Sequence, residues 1–257
     1  MLPAIQTNLS SFAPISLAEM DNVKLMDRTD TKYTFPYGRL TEILSLIQDK
    51  YSILVVEGVR INRYETLYFD TVDLLLYHLH HSGKLNRYKV RHRTYVESKI
   101  GFLEVKFKNN KGRTFKTRIK QNAVCYEFNE EQQQNFIHNK TPYQSSDLKP
   151  VIWVNYNRIT LVNKTSAERL TIDLNLEFKR DGSSIIHHDL VIAEVKQDGK
   201  AYSPFIETMK KLHLREGSIS KYCLGIALTY PNVKKNSFKP KIHSIKNLLN
   251  NDSTASS

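Results

Sequence analysis

The sequence predicts an α+β chain, mainly β, built as an eight-stranded antiparallel β-barrel tunnel with helices packed outside. Three observations lead there. Short runs rich in aromatic and β-branched residues follow one another with little more than turn-like segments between most of them. Six of those runs alternate charged and apolar residues, so each strand has two faces of opposite character. Several stretches between them carry an apolar stripe at helical spacing and can cover the apolar faces. About eight antiparallel strands give a closed barrel or a sandwich, and full closure removes exposed edges.

In chain order, residues 1–20 are weakly patterned and read as a partly ordered N-terminal arm. Thr31 to Pro36 is a short β-like run carrying Lys32. Tyr37 to Lys50 reads as a helix, with Leu40, Ile43, Leu44 and Ile47 on one stripe. Ile61 to Asp70, rich in Tyr, Thr and Phe, reads as a strand, and Leu74 to His81 as a short helix. Arg87–Val96, Phe102–Lys108 and Arg113–Lys120 form a meander, separated by turn residues such as Gly101 and Gly112. A helical or irregular insertion, Asn129 to Ser146, precedes strands at Val151–Leu161, Arg169–Phe178 and Asp189–Lys196. Pro204 to Leu212 reads as a helix starting at its proline, and Lys221 to Ala227 as a last short element. One domain over 21–230 is expected, with 231–257, rich in Lys, Asn and Ser, as a flexible basic tail.

With 40% hydrophobic and 25% charged residues, the 257-residue chain has the composition of a globular protein able to bury a sizeable core. Its 38 Lys and Arg against 26 Asp and Glu give a net charge of +12, which points to a polyanionic partner. Two distant cysteines, Cys125 and Cys223, indicate neither a disulfide framework nor a zinc site and suit a reducing cytoplasm. No apolar run is long enough for a membrane span.

The cations follow strand alternation. Lys89, Arg91 and Arg93 share one face, Glu104, Lys106 and Lys108 the next, and Lys116, Arg118 and Lys120 the third. Tyr156 with Arg158, Arg169 with Thr171 and Asp173, and Glu194 with Lys196 continue the pattern. Like charges across a ladder are destabilising. Two cations about 4 Å apart repel by about 4 kcal/mol at an effective dielectric near 20. Turned inward, these faces make a basic tunnel in which Arg forks and Lys point charges grip phosphates, and the acidic residues can bind a divalent metal bridging phosphate oxygens.

The segments RTDTKYTF (28–35), YETLYFDT (64–71), GKLNRYKVRHRTY (83–95), FLEVKFKNNKGRTFKTRI (102–119), VNYNRI (154–159), ERLTIDLNL (168–176), VIAEVK (191–196) and SISKYCLG (218–225), in that order, resemble the VTC (vacuolar transporter chaperone) domain. This is the polyphosphate polymerase branch of the CYTH-like triphosphate tunnel metalloenzymes. The resemblance implies ATP as phosphoryl donor, inorganic polyphosphate as acceptor and product, a Mn2+ or Mg2+ ion, and a membrane-protein partner for the product. By motif it puts Lys32, Arg91, Arg93, Lys106, Lys116, Arg118, Arg158 and Lys221 on phosphates, Glu194 on the metal and Ser220 at the tunnel mouth. Arg91, Arg93, Lys106 and Arg158 are the expected catalytic set, and Lys89, Arg169 and Lys196 join the phosphate contacts. The family can carry a basic residue three positions before Lys221, where this chain has Ser218.

The expected reaction is in-line attack of a terminal polyphosphate oxygen on the γ-phosphorus of ATP. Such a nucleophile is already ionised, so no general base is needed. Rival readings are a triphosphatase or polyphosphatase on the same fold, with a carboxylate such as Glu104 orienting water, and a non-catalytic polyanion or RNA binder. No RNA-binding signature accompanies the charge, and no specific nucleic acid is expected. His78, His80 and His81 lack ligand spacing and read as a solvated helix end. Tyr64, Tyr68 and Phe69 read as core packing.

Overall fold

The computed structural model describes residues 2–21, 28–199 and 201–254. The chain runs α1 (Leu2–Ser10), β1 (Ala13–Ile15), α2 (Leu17–Asp21), β2 (Arg28–Pro36), α3 (Leu40–Ile47), β3 (Tyr51–Leu54), β4 (Asn62–Asp70) and α4 (Leu75–His81). It continues through β5 (Arg87–Tyr95), β6 (Ile100–Lys108), β7 (Thr114–Lys120), α5 (Glu131–Lys140), β8 (Lys149–Asn163), β9 (Glu168–Arg180), β10 (Ser183–His187) and β11 (Leu190–Asp198). It ends with α6 (Pro204–Lys211), α7 (Lys221–Thr229) and α8 (Lys239–Thr254).

The main path of the sheet is β2-β11-β9-β8-β4-β5-β6-β7, antiparallel throughout. Short strands flank it: β1 pairs in parallel with β3, β3 with β8, and β10 forms a hairpin with β9. The eight expected strands are all on this path, but it does not close into a barrel, because β2 and β7 share no ladder. Two features keep them apart. Part of the outer edge of β2 is taken by the chain after α6, where Gly217 N donates to Lys32 O at 2.8 Å and Glu216 bridges to Tyr33. β7 carries Lys116, Arg118 and Lys120, a composition that resists edge pairing.

The sheet is nevertheless curled into a trough. Arg118 of β7 and Lys196 of β11, far apart along the path, line the same 410 Å3 cavity. Its outer face is apolar. Ile159, Leu161, Leu170, Ile172, Val191, Ala193 and Val195 pack beneath α1, α3 and α6, which contribute Ile5, Leu9, Leu40, Ile43, Leu44, Ile47, Phe205 and Met209. Under α5, Val90, Leu103 and Val105 meet Phe136 and Ile137. The helices therefore lie outside, as the strand alternation requires.

Residues 1–20, read as a partly ordered arm, place Ile5, Leu9 and Phe12 in that core, and Arg60 ties the carbonyls of Leu9 and Phe12 at 3.0 Å each. The stretch read as a flexible basic tail includes α8. Phe238, Ile242, Ile245 and Leu249 turn toward a core that includes Tyr222 and Leu190. Their spacing is helical, but they are too sparse for composition to reveal it.

Helix α7, unlike α1, α3, α5 and α6, lies on the concave side, with α8 packed beside it. Gly225 permits this: a Cβ there would stand 2.6 Å from Phe178 Cδ1 and 2.7 Å from Ile152 Cδ1. The helix thereby fills one end of the trough with apolar side chains and points its N-terminus along the rest.

Candidate functional site

Strand alternation delivers the charged faces to the concave side. On the β8–β9–β11–β2 half, carboxylates clasp pairs of cations. Arg158 binds Asp173 through both branches of its fork, Nε to Oδ1 at 2.6 Å and Nη2 to Oδ2 at 2.8 Å, and Lys221 Nζ donates to the same Oδ2. Burial would raise the Asp173 pKa, but Arg158 and Lys221 outweigh it and hold the carboxyl at about 2. Glu194 lies between Lys32 and Lys196, each 3.0 Å away. Burial again opposes its charge, and Lys196 and Lys32 prevail, keeping it well below the usual carboxylate range. Burial pushes Lys196 down to about 8 despite Glu194.

On the β5–β6–β7 half, Arg91 Nε donates to Glu104 Oε2 at 2.6 Å and its Nη1 to Tyr68 Oη at 3.2 Å. Its neighbours have no such support. Among the described residues Lys89, Arg93, Lys106 and Arg118 have no carboxylate partner. Lys89 Nζ donates to Ser220 Oγ at 2.8 Å, Arg118 lies 4.2 Å from the centre of the Phe102 ring, and the buried Arg93 Nε has no acceptor. Burial, with Lys89, Lys116, Arg91 and Lys32 nearby, pushes Lys106 down to about 7.

All the residues expected in the site stand on β2, β5–β9, β11 or the start of α7. Lys32 and Lys196 meet at Glu194, Arg158 and Lys221 at Asp173, Lys89 meets Ser220 and Arg91 meets Glu104, while Lys106 stands opposite Lys89 in the β5–β6 register and Arg93 lies over Tyr64. Arg118, Arg158, Arg169 and Lys196 line the cavity. Arg169 also donates to Met20 O at 3.1 Å, and Lys116 lies opposite Lys106 in the β6–β7 register on an exposed strand. Ser220 caps α7, accepting from Cys223 N at 3.3 Å while it receives Lys89.

Sequence reasoning missed the floor between the two halves. Asn62, Tyr64, Thr66 and Tyr68 alternate along β4 with exposed Arg63 and Glu65, and all four are buried. Tyr64 stacks on Tyr156 at 5.2 Å and lies under Arg158 at 4.8 Å and Arg93 at 5.8 Å. Tyr68 lies under Arg91 at 5.9 Å. These rings are packed, as expected, but against guanidinium groups. Burial would raise the Tyr68 pKa, yet Arg91, Arg93 and Lys89 bring it below the ordinary tyrosine value. The alternation in β4 was visible, but its concave face is uncharged and gave no signal.

Of the three histidines, His81 and the half-buried His80 are drawn away from solvent. His81 is buried and accepts from Ser237 N at 3.2 Å, and His80 is pushed to about 2 by burial and by Lys89, Arg87, Lys106 and Lys108. At the position where the family can carry a basic residue, Ser218 Oγ accepts from Lys241 Nζ of α8 at 3.3 Å.

Among the described residues, no group of three or more His, Cys, Asp or Glu side chains lies together for a metal. The donor set fits a divalent cation only in a limited way. Glu104, Asp173 and Glu194 each already hold a cation, so Glu194 would suit an ion bound mainly by phosphate oxygens and water. No helix among the described residues is long and apolar enough to cross a membrane.

The concave face of this curled antiparallel sheet is lined with cations. Solved structures agree on the fold. A candidate adenylate cyclase from Bacillus halodurans matches with a TM-score of 0.51 at 14% identity, over 80% of this chain and 100% of its own. A Hippeastrum protein, a candidate adenylyl cyclase described as having a dominant triphosphatase activity, matches with a TM-score of 0.51 at 12% identity, over 80% of this chain and 98% of its own. The VTC domain family matches residues 27–230, and the chain belongs to it. No curated protein matches the chain.

Proposed function

We propose that this chain is a metal-dependent inorganic polyphosphate polymerase that moves the γ-phosphate of ATP onto a growing polyphosphate chain in the basic trough. The observation that carries this reading is the state of the trough carboxylates. Glu104, Asp173 and Glu194 each engage a cation at 3.0 Å or less, and the pKa of each is held below its usual value. None is placed to take a proton, as a water-activating base must. A phosphate nucleophile needs no such base.

In this reading the triphosphate lies along the floor. Lys89, Arg93, Lys106 and Arg118 contact phosphate oxygens without first surrendering a carboxylate, while Arg91, Arg158 and Lys221 contribute charge already fixed by their partners. Lys32, Lys116, Arg169 and Lys196 extend the cationic wall, and Ser220 orients Lys89. Charge spread over the transferring group is stabilised by donors that need no reorganisation. A Mn2+ or Mg2+ ion, bound through Glu194, would neutralise and bridge phosphate oxygens. The domain boundaries at 21 and 230 follow the same reading, with a cytoplasmic location and a membrane partner for the product.

Hydrolysis is the second reading, favoured by the triphosphatase activity described for the Hippeastrum structural neighbour. Purified protein incubated with ATP and Mn2+ separates the two when products are resolved by size. Long phosphate chains with ADP are the expected outcome. Free phosphate alone would overturn polymerisation in favour of hydrolysis, and no turnover would leave only polyanion binding.

A further inference from the structure

At the end of the floor strand lies a carboxylate with no exposed surface. Asp70, at the end of β4, is fully buried, and its oxygens accept from Thr71 N at 2.7 Å, Leu76 N at 2.8 Å, Tyr77 N at 2.9 Å and the hydroxyl of Tyr222. Two of these amides explain a cap: α4 starts abruptly after Leu74, whose φ is 58°, and Asp70 takes Leu76 N and Tyr77 N while Thr71 Oγ1 takes Leu75 N at 2.9 Å. Capping does not require Tyr222, which arrives from 152 residues along the chain.

Tyr222 connects Asp70 to the phosphate-facing surface in two directions. Its ring stacks on Tyr68 at 4.9 Å and 24°, and Tyr68 in turn receives Arg91 on its hydroxyl and carries the guanidinium over its ring. The residue before it, Lys221, reaches Asp173 and lies 4.9 Å from the centre of the Tyr156 ring. On its other side α7 rests against Phe178 and Ile152 at Gly225, with no room for a methyl group. The helix is thus held from two sides, by packing at Gly225 and by the Tyr222–Asp70 hydrogen bond, with Lys221 on Asp173 and Arg180 Nη1 on Thr229 O at 3.0 Å at its two ends.

We propose that Asp70, acting through Tyr222, is a positioning residue of the phosphate site: it fixes where α7 presents Lys221 and how Tyr68 carries Arg91. The proposal rests on the phosphoryl-transfer reading above. Asp70 touches no substrate. Its contribution is to set charges in place before reaction, and misplacing a catalytic group by about 1 Å can cost about a hundredfold in rate.

Tyr222→Phe removes the hydroxyl and keeps the stacked ring. Calorimetric binding of tripolyphosphate, together with kcat and KM for ATP well below the melting temperature, is compared for wild type, Tyr222→Phe, Lys221→Met and the double variant. Tyr222→Phe is expected to lower kcat by about tenfold or more with KM little changed, and to add little once Lys221 is gone. Unchanged kcat, or the same loss with and without Lys221, would overturn the positioning role and leave a structural one. If Tyr222→Phe does not fold, Asp70→Asn, which preserves the side-chain volume, enters the same cycle under the same criteria. Wild-type protein that binds no tripolyphosphate overturns the phosphate reading itself, whereas wild-type binding and turnover with an unaffected Tyr222→Phe overturns only this proposal.

Discussion

The two halves of the trough solve the burial of cations differently. On the β8–β9–β11–β2 side, two carboxylates hold four cations, Asp173 with Arg158 and Lys221, and Glu194 with Lys32 and Lys196. On the β5–β6–β7 side Glu104 serves Arg91, while Lys89, Arg93, Lys106 and Arg118 lack a carboxylate among the described residues. Burying a charge is costly unless it is paired. The first half is therefore paired as folded, whereas in the second Lys89, Arg93 and Lys106 are half-buried without a carboxylate, and under the proposed function an anion completes it. The uncharged β4 floor separates them and packs tyrosine rings against arginines of both.

The largest test of this contrast is Arg158→Ala. Asp173 is 3% exposed, so the substitution leaves a buried carboxylate with Lys221 as its only cation and should cost about 3 kcal/mol in denaturant unfolding, the low end for a broken buried pair. A loss below about 1 kcal/mol, the scale of an exposed pair, would contradict a completed half. Glu194→Gln is next. Its carboxylate is 21% exposed, so a smaller loss of about 1–3 kcal/mol is expected, with metal-dependent turnover falling more than nucleotide affinity. Unchanged metal dependence would remove Glu194 from the metal's coordination.

Lys106→Met should behave in the opposite sense. It removes a buried cation that lacks a partner, so stability should hold or rise by up to about 1 kcal/mol. Affinity for tripolyphosphate should fall about tenfold, or ~1.4 kcal/mol. Destabilisation without loss of affinity would mean that Lys106 is a packing residue and that the two halves do not differ as argued.

Much of this was legible in the sequence because strand alternation is local. Lys89, Arg91 and Arg93, or Lys116 and Arg118, share a face whatever surrounds them, and their family motifs gave the same residues. The helix over Leu40, Ile43, Leu44 and Ile47 was readable for the same reason. What failed was long-range. The barrel stays open because Gly217 reaches the edge of β2, a contact between residues far apart in the chain. Helix α8 is sparse in apolar residues and depends on a tertiary partner for Ile245. Tyr64, Tyr68 and Asp70 carry no motif chemistry of their own, and their place under the cations follows from which strands flank β4.

The smallest expected effect reads the open half through protons. The Lys106 pKa of about 7 in the folded chain lies below the ~10.4 of an unfolded lysine. Between those values the unfolded chain binds more protons, so the penalty from Lys106 is full below about 7 and stability rises as pH climbs toward about 10. A bound polyanion raises the Lys106 pKa again, so binding above pH 7 must take up protons and weaken as pH rises. Calorimetric titration of tripolyphosphate at pH 8, in buffers of different protonation enthalpy, measures that uptake. It should be smaller in Lys106→Met by a fraction of one proton, with the remainder including Lys196, whose pKa is about 8. Protonation of tripolyphosphate itself is common to both proteins and cancels in the difference. Equal uptake by the two would mean that Lys106 is already charged before the anion arrives, and the open half would then be as complete as its partner.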